Sequence, residues 1–238
     1  MRNHDIERKV RALLDRSNHP GTPLAEAEAA LAMAYRLMIK YEIPVLAISG
    51  RDSANGQSAR ESDSVMTQRR YETTGPYRVR RYSLRYGIAE ALSCAMFRAT
   101  NEEDTDTVVC RAFGAASDLD AAETLYAAAE MLALRMIPWG DRGYRTAWWH
   151  GFSEGLAEKL RKERRKVERR ERGAALVLRE RQERAKEAMI DFEPHLVWRS
   201  RGSVSSSDAF DEGRRAGSRF SSGTRGVSGS ARELSSGK

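Results

Sequence analysis

Apolar residues recur at helical spacing through the first forty positions. Ile6, Val10, Leu13 and Leu14 fall at i, i+4, i+7 and i+8, which is one face of a helix. The run Ser17-Asn-His-Pro-Gly-Thr-Pro23 interrupts that pattern. Pro23 suits a first helical position with Thr22 as its cap, and Leu24, Ala27, Leu31, Ala34, Tyr35, Met38 and Ile39 then share one side. Pro44 disfavours helix at Ile43, so the second helix should end near Glu42. Residues 4–43 thus predict a helical hairpin. From Ile48 to about Thr74 no period is sustained and Ser, Gly, Asn, Gln and Arg dominate, so 44–76 predicts a linker.

Residues 77–160 predict an α-β-β-α unit with a following helix. Leu84, Ile88 and Leu92 mark the first helix. Cys94–Ala99 and Thr107–Gly114 suit strands, joined as a hairpin by the acidic turn Asn101-Glu-Glu-Asp-Thr-Asp106. Ser117 is the expected cap of a helix running to about Met136, with Leu119, Ala122, Leu125, Tyr126, Ala129, Leu132 and Met136 inward. Pro138 and Gly140 end it. The next helix should begin near Tyr144, with Trp148, Trp149, Phe152, Leu156 and Leu160 as its stripe. Gly151 and Gly155, four apart, would let another backbone approach closely.

After Leu160 charge dominates, Gly173 interrupts, and Leu178, Ala185 and Met189 mark a resumed helix face. Residues 161–193 therefore predict a charged helical extension, projecting or coiled with another helix, with Glu158/Lys162 and Glu168/Arg172 in favourable i, i+4 order. Residues 194–238 form a basic Ser/Gly/Arg-rich tail, broken by one helical pattern over Ser207–Phe220 and otherwise expected to be disordered. The fold class expected is α+β and mostly helical.

Charge changes the picture because it is uneven. The chain of 238 residues carries a net charge of +7. Met1–Ser153 holds 20 basic and 20 acidic residues, whereas 154–193 holds 13 and 10 and 194–238 holds 8 and 4. A neutral body with a cationic end implies a polyanionic partner, DNA or RNA. Cys94 and Cys110 are too few for a disulfide framework. The start lacks a signal-like apolar run, and no stretch is long enough to span a membrane. The expectation is a cytoplasmic protein with reduced thiols and no membrane partner.

Several segments resemble an uncharacterised domain family, of unknown function, common in phages and actinobacteria. The likeness rests on Lys9-Val-Arg-Ala-Leu-Leu14, Ala25-Glu-Ala-Glu-Ala-Ala-Leu31 and Tyr35-Arg-Leu-Met-Ile-Lys-Tyr41. Further marks are Phe113-Gly114, Ser117-Asp-Leu-Asp120, Gly151-Phe-Ser-Glu-Gly155, Ala175-Leu-Val-Leu178 and Gly213-Arg-Arg-Ala-Gly217. The resemblance implies a phage or prophage product acting in the host cytoplasm, and it implies no catalytic residues.

Motifs for catalysis, metals or cofactors are absent: no HExxH, paired CxxC, GxxxxGK[ST] or GxGxxG occurs. His150 and Glu154, at i, i+4, fall short of a ligand set. The acidic turn lacks the spacing of a calcium loop, and both cysteines lie in apolar contexts that suit a core. Two candidate nucleic-acid contacts remain. One interleaves rings and guanidinium groups, as single-strand binding uses them: Tyr77, Arg78, Arg80, Arg81, Tyr82 and Arg85. The other is the tail with Arg199, Arg201, Arg214, Arg215 and Arg219. The function expected is a non-enzymatic accessory protein binding nucleic acid weakly and without sequence specificity through its basic C-terminal third. The alternative is an interaction module engaging a host protein, or a second copy of itself, through helices 144–190.

Overall fold

The computed structural model describes residues 3–41, 65–99, 106–170, 172–197 and 207–219. In chain order the elements are α1 (Asn3–Asn18), α2 (Leu24–Tyr41), β1 (Met66–Thr73), α3 (Arg78–Ala91), β2 (Ala95–Ala99), β3 (Val108–Ala115), α4 (Ala116–Met136), α5 (Arg142–Arg170), α6 (Arg172–Phe192) and α7 (Asp208–Ser218). The fold is α+β and mostly helical.

The hairpin forms as its stripes require, with Ile6, Val10 and Leu14 of α1 packed on Ala27, Leu31, Tyr35 and Met38 of α2. Two details differ. The Pro23 carbonyl accepts from the Glu26 and Ala27 amides, so α2 starts one residue later than expected. Leu24 lies at its exposed end. The hairpin docks on the body, where the Tyr35 hydroxyl donates to the Leu160 carbonyl at 3.3 Å.

The sheet corrects the expected linker and the two-stranded reading. Residues 66–73, inside the stretch read as a linker, form β1, which pairs antiparallel with β3 from Met66↔Ala115 to Thr73↔Val108. β2 pairs antiparallel with the other edge of β3, giving the order β1-β3-β2. β1 escaped the sequence because it is an edge strand, MTQRRYET, with few apolar side chains. Residues 42–43 of the expected hairpin, 44–64 of the expected linker, and 100–105, which hold most of the acidic turn, lie outside the described part.

Both faces of β3 are covered. Cys110 and Ala112 pack with Cys94, Met96, Ala89 and Leu119 on one face. Phe113 and Ala95 pack with Ala185 and Met189 of α6 on the other. The second half of the expected charged extension, α6, therefore folds back on the sheet rather than projecting or coiling with another helix, because the second sheet face needs an apolar cover and α6 supplies it. α4 starts at Ala116 with Ala115 as cap and no side-chain cap bond, so Ser117 is a buried first-turn residue rather than the cap. β3 passes straight into α4, leaving no turn for Ser117 to close.

The α5 stripe is the centre of the molecule. Trp148, Trp149, Phe152, Leu156 and Leu160 are all buried in the main core. The glycines on α5 meet those on α7. A Cβ on Gly151 would overlap the Phe210 carbonyl and one on Gly155 the Arg214 carbonyl. Reciprocally, Cβ atoms on Gly213 and Gly217 would strike the Trp148 and Phe152 carbonyls. The helical pattern inside the expected tail is thus a docked helix, capped by Ser207, whose hydroxyl accepts from the Phe210 amide at 3.3 Å.

Candidate nucleic-acid interface

The two arginine-bearing regions have different fates. On α3 most of the candidate side chains are engaged within the molecule. Tyr77, at the amino end of α3, stacks on Trp149 with centroids 6.4 Å apart. Arg78 pairs with Asp106 at 3.2 Å. Arg80 is half-buried, and that burial pulls its pKa down. Arg81 pairs with Glu130 of α4 at 2.5 Å and donates to the Thr74 carbonyl at 2.8 Å. Arg85 lies between two rings, 3.6 Å from the Tyr126 centroid and 4.3 Å from Tyr71. Tyr82 packs beside Tyr86 against the sheet core. Rings and cations interleave here, but with one another.

The amino end of α4 draws in further cations. Asp120 pairs with Arg69 of β1 at 2.5 Å, and Asp118 with Arg181 of α6 at 3.3 Å. Arginines from β1 and α6 thus pair with both carboxylates near the strand-to-helix junction.

On α5 one face is inward and the other displayed. Glu163 and Arg164 are buried. Glu163 takes Arg36 of α2 at 3.0 Å, Lys166 at 3.0 Å and Lys159 at 3.6 Å. Burial alone would raise its pKa, but the hydrogen bonds and charges of Arg36 and Lys166 outweigh that and bring it down to about 2. Arg164 donates to the carbonyls of Glu90 and Leu178 at 3.1 and 3.2 Å and pairs with Glu168 at 3.0 Å. Of the expected pairs, Glu158 reaches Arg214 of α7 rather than Lys162; Glu168 meets Arg164, and the side chain of Arg172 lies outside the described residues. The choice of Arg214 over Lys162 favours the guanidinium fork, which holds carboxylates better than a lysine point charge.

On the displayed face, Glu158, Lys162, Arg165 and Arg169 follow one another at i, i+4, i+7 and i+11, and all are exposed. Lys162 to Arg169 spans about 10 Å at 1.5 Å per residue. Measured along the duplex axis, that is roughly three phosphate steps of one strand at about 3.4 Å each. Beside this row, an open groove of about 490 Å³ runs between α5 and α7. Lys159, Lys162, Arg214 and Arg215 line it together with Glu158, Asp211, Gly155 and Ser218. Among the described residues no carboxylate is in ion-pair contact with Lys162, Arg165, Arg169 or Arg215. Arg219, exposed, follows at the end of α7, whereas Arg199 and Arg201 lie outside the described residues.

The α5 cations did not stand out in the sequence because the segment mixes both signs. The signal was available: Glu163 and Val167 continue the inward stripe of Leu156 and Leu160 at i+3 and i+4 steps, which leaves 162, 165 and 169 outward. Chemistry of other kinds has little support. Burial pushes the Cys110 thiol up to about 11 and the Cys94 thiol well above its ordinary value, so neither is a ready nucleophile. Among the described residues no group of three or more His, Cys, Asp or Glu could hold a metal ion, and no helix is long and apolar enough to cross a membrane.

A family model described as "Protein of unknown function (DUF2786)" matches residues 6–43, the α1–α2 hairpin. No enzyme family is indicated by that match. No curated protein and no solved structure matches the chain.

Proposed function

We propose that the protein binds the sugar-phosphate backbone of nucleic acid, weakly and without sequence specificity, on the α5–α7 face. It would act as a non-enzymatic accessory protein in the host cytoplasm, in keeping with the phage association that the resemblance implies. The observation that carries this reading is the row Lys162, Arg165 and Arg169, exposed and continuous with Arg214 and Arg215 across the groove. Backbone recognition needs exposed cations at phosphate spacing and no base-reading geometry. The apolar stripes of the helices named in the interaction-module alternative, Trp148 to Leu160 and Leu178, Ala185 and Met189, pack within the chain's own cores. The test is an anisotropy titration of labelled duplex DNA, single-stranded DNA and RNA at about 50 and 200 mM salt. Neutralising about four phosphates gives a log–log salt slope near −3.6 on duplex DNA. Absence of salt-sensitive binding at tens of micromolar removes the reading.

A further inference from the structure

We propose that Glu158 is an internal stand-in for phosphate: its carboxylate holds Arg214 in the free protein and is displaced when a polyanion enters the α5–α7 groove. This inference rests on the interface proposed above and concerns its regulation.

The geometry points to exchange. Arg214 Nη2 donates to Glu158 Oε2 at 3.0 Å, joining α7 to α5 across the groove. A guanidinium engages carboxylate and phosphate with the same fork of donors, so one anion can replace the other without moving the arginine. The pair is about half exposed on both sides, 52% and 59%, so little holds it against a competitor. Glu158 is the acid on the arc that continues as Lys162, Arg165 and Arg169. It reaches across to Arg214 although Lys162 stands one turn along on its own helix. Its position is where a backbone following those cations would place its next phosphate. The displaced carboxylate has solvent beside it, since Glu158 lines the open groove.

A double-mutant cycle tests this in the full chain, with labelled duplex DNA at about 50 mM salt. The variants are Glu158→Gln, Arg214→Gln and the pair. Glu158→Gln should bind about three- to fivefold more tightly than the wild type, the upper range for an exposed pair. In the Arg214→Gln background the same change should alter affinity less than about twofold. An unchanged or weakened Glu158→Gln overturns the proposal, and so does a gain of equal size in both backgrounds, which would reflect net charge alone. In either case the wild type still binds and the interface stands. A wild type that shows no salt-sensitive binding removes the interface and the exchange together. Melting curves for all four proteins establish that each is folded.

Discussion

The arginines of α3 and those of the α5–α7 face are the same side chain in opposite settings. On α3 three of the four are close to something that absorbs them, and Arg80 is half-buried: Glu130 takes Arg81, Asp106 takes Arg78, and Tyr71 and Tyr126 enclose Arg85. α3 packs among α4, α5 and the sheet, so its cations meet acids and rings contributed by neighbours. On α5 the inward acid Glu163 gathers Arg36, Lys159 and Lys166, and the outward row keeps its charge for solvent. What separates the two is whether a neighbouring element supplies carboxylates to that face, and the local density of arginine does not reveal it. A charge-rich segment becomes a binding surface where the fold leaves it unneutralised.

The largest way to break this comparison is to remove one wall of the second region. Gly213→Val should drive a side chain into the Trp148 carbonyl and undock α7, costing about 3 kcal/mol in urea unfolding and separating Arg214 and Arg215 from Lys159 and Lys162. Retained stability would mean that α7 is not held by that crossing.

Next comes the buried acid that divides the two faces of α5. Glu163→Gln should cost about 2–3 kcal/mol, as expected for lost charge-assisted hydrogen bonds. The folded carboxyl titrates at about 2, below its ordinary 4.5, so its contribution is present above pH 4.5 and is lost as pH falls through about 2. The wild type should therefore lose stability over that window more steeply than Glu163→Gln, measured by denaturant midpoints across the acid range. Parallel pH profiles would contradict the ion cluster.

The smallest effect sharpens the first region. Arg85→Ala should cost about 1–2 kcal/mol through loss of its two ring contacts. It should leave nucleic-acid affinity unchanged within about twofold. A large loss of affinity with little loss of stability would return α3 to the interface.

Much of the fold was legible. The hairpin, α4, the aromatic stripe of α5 and the short α7 all repeat apolar residues at helical spacing, and such repeats are read one element at a time. Gly151 and Gly155 announced a close helix crossing, but not that Gly213 and Gly217 would answer them, because the partner is some sixty residues away. β1 was hidden for the opposite reason. Its stability comes from ladder hydrogen bonds to β3, which any residue type can make, so its sequence resembles a polar linker. The candidate site was legible only as a charge imbalance. The sequence carried the excess of cations in the last third. Which of them meet carboxylates depends on long-range pairs such as Arg214–Glu158 and Arg36–Glu163, and no local spacing encodes those.

The most direct measurement removes equal charge from each region and compares the salt slopes. Lys162→Gln/Arg165→Gln/Arg169→Gln and Arg78→Gln/Arg80→Gln/Arg81→Gln each delete three positive charges, with folding checked by circular dichroism. The α5 triple variant should flatten the log–log salt slope on duplex DNA by about 2.7, three phosphate contacts at about 0.9 each, while the α3 triple variant leaves the slope within about 0.5 of the wild type. Equal flattening in both, or flattening confined to the α3 variant, would contradict the assignment of the interface to α5 and α7.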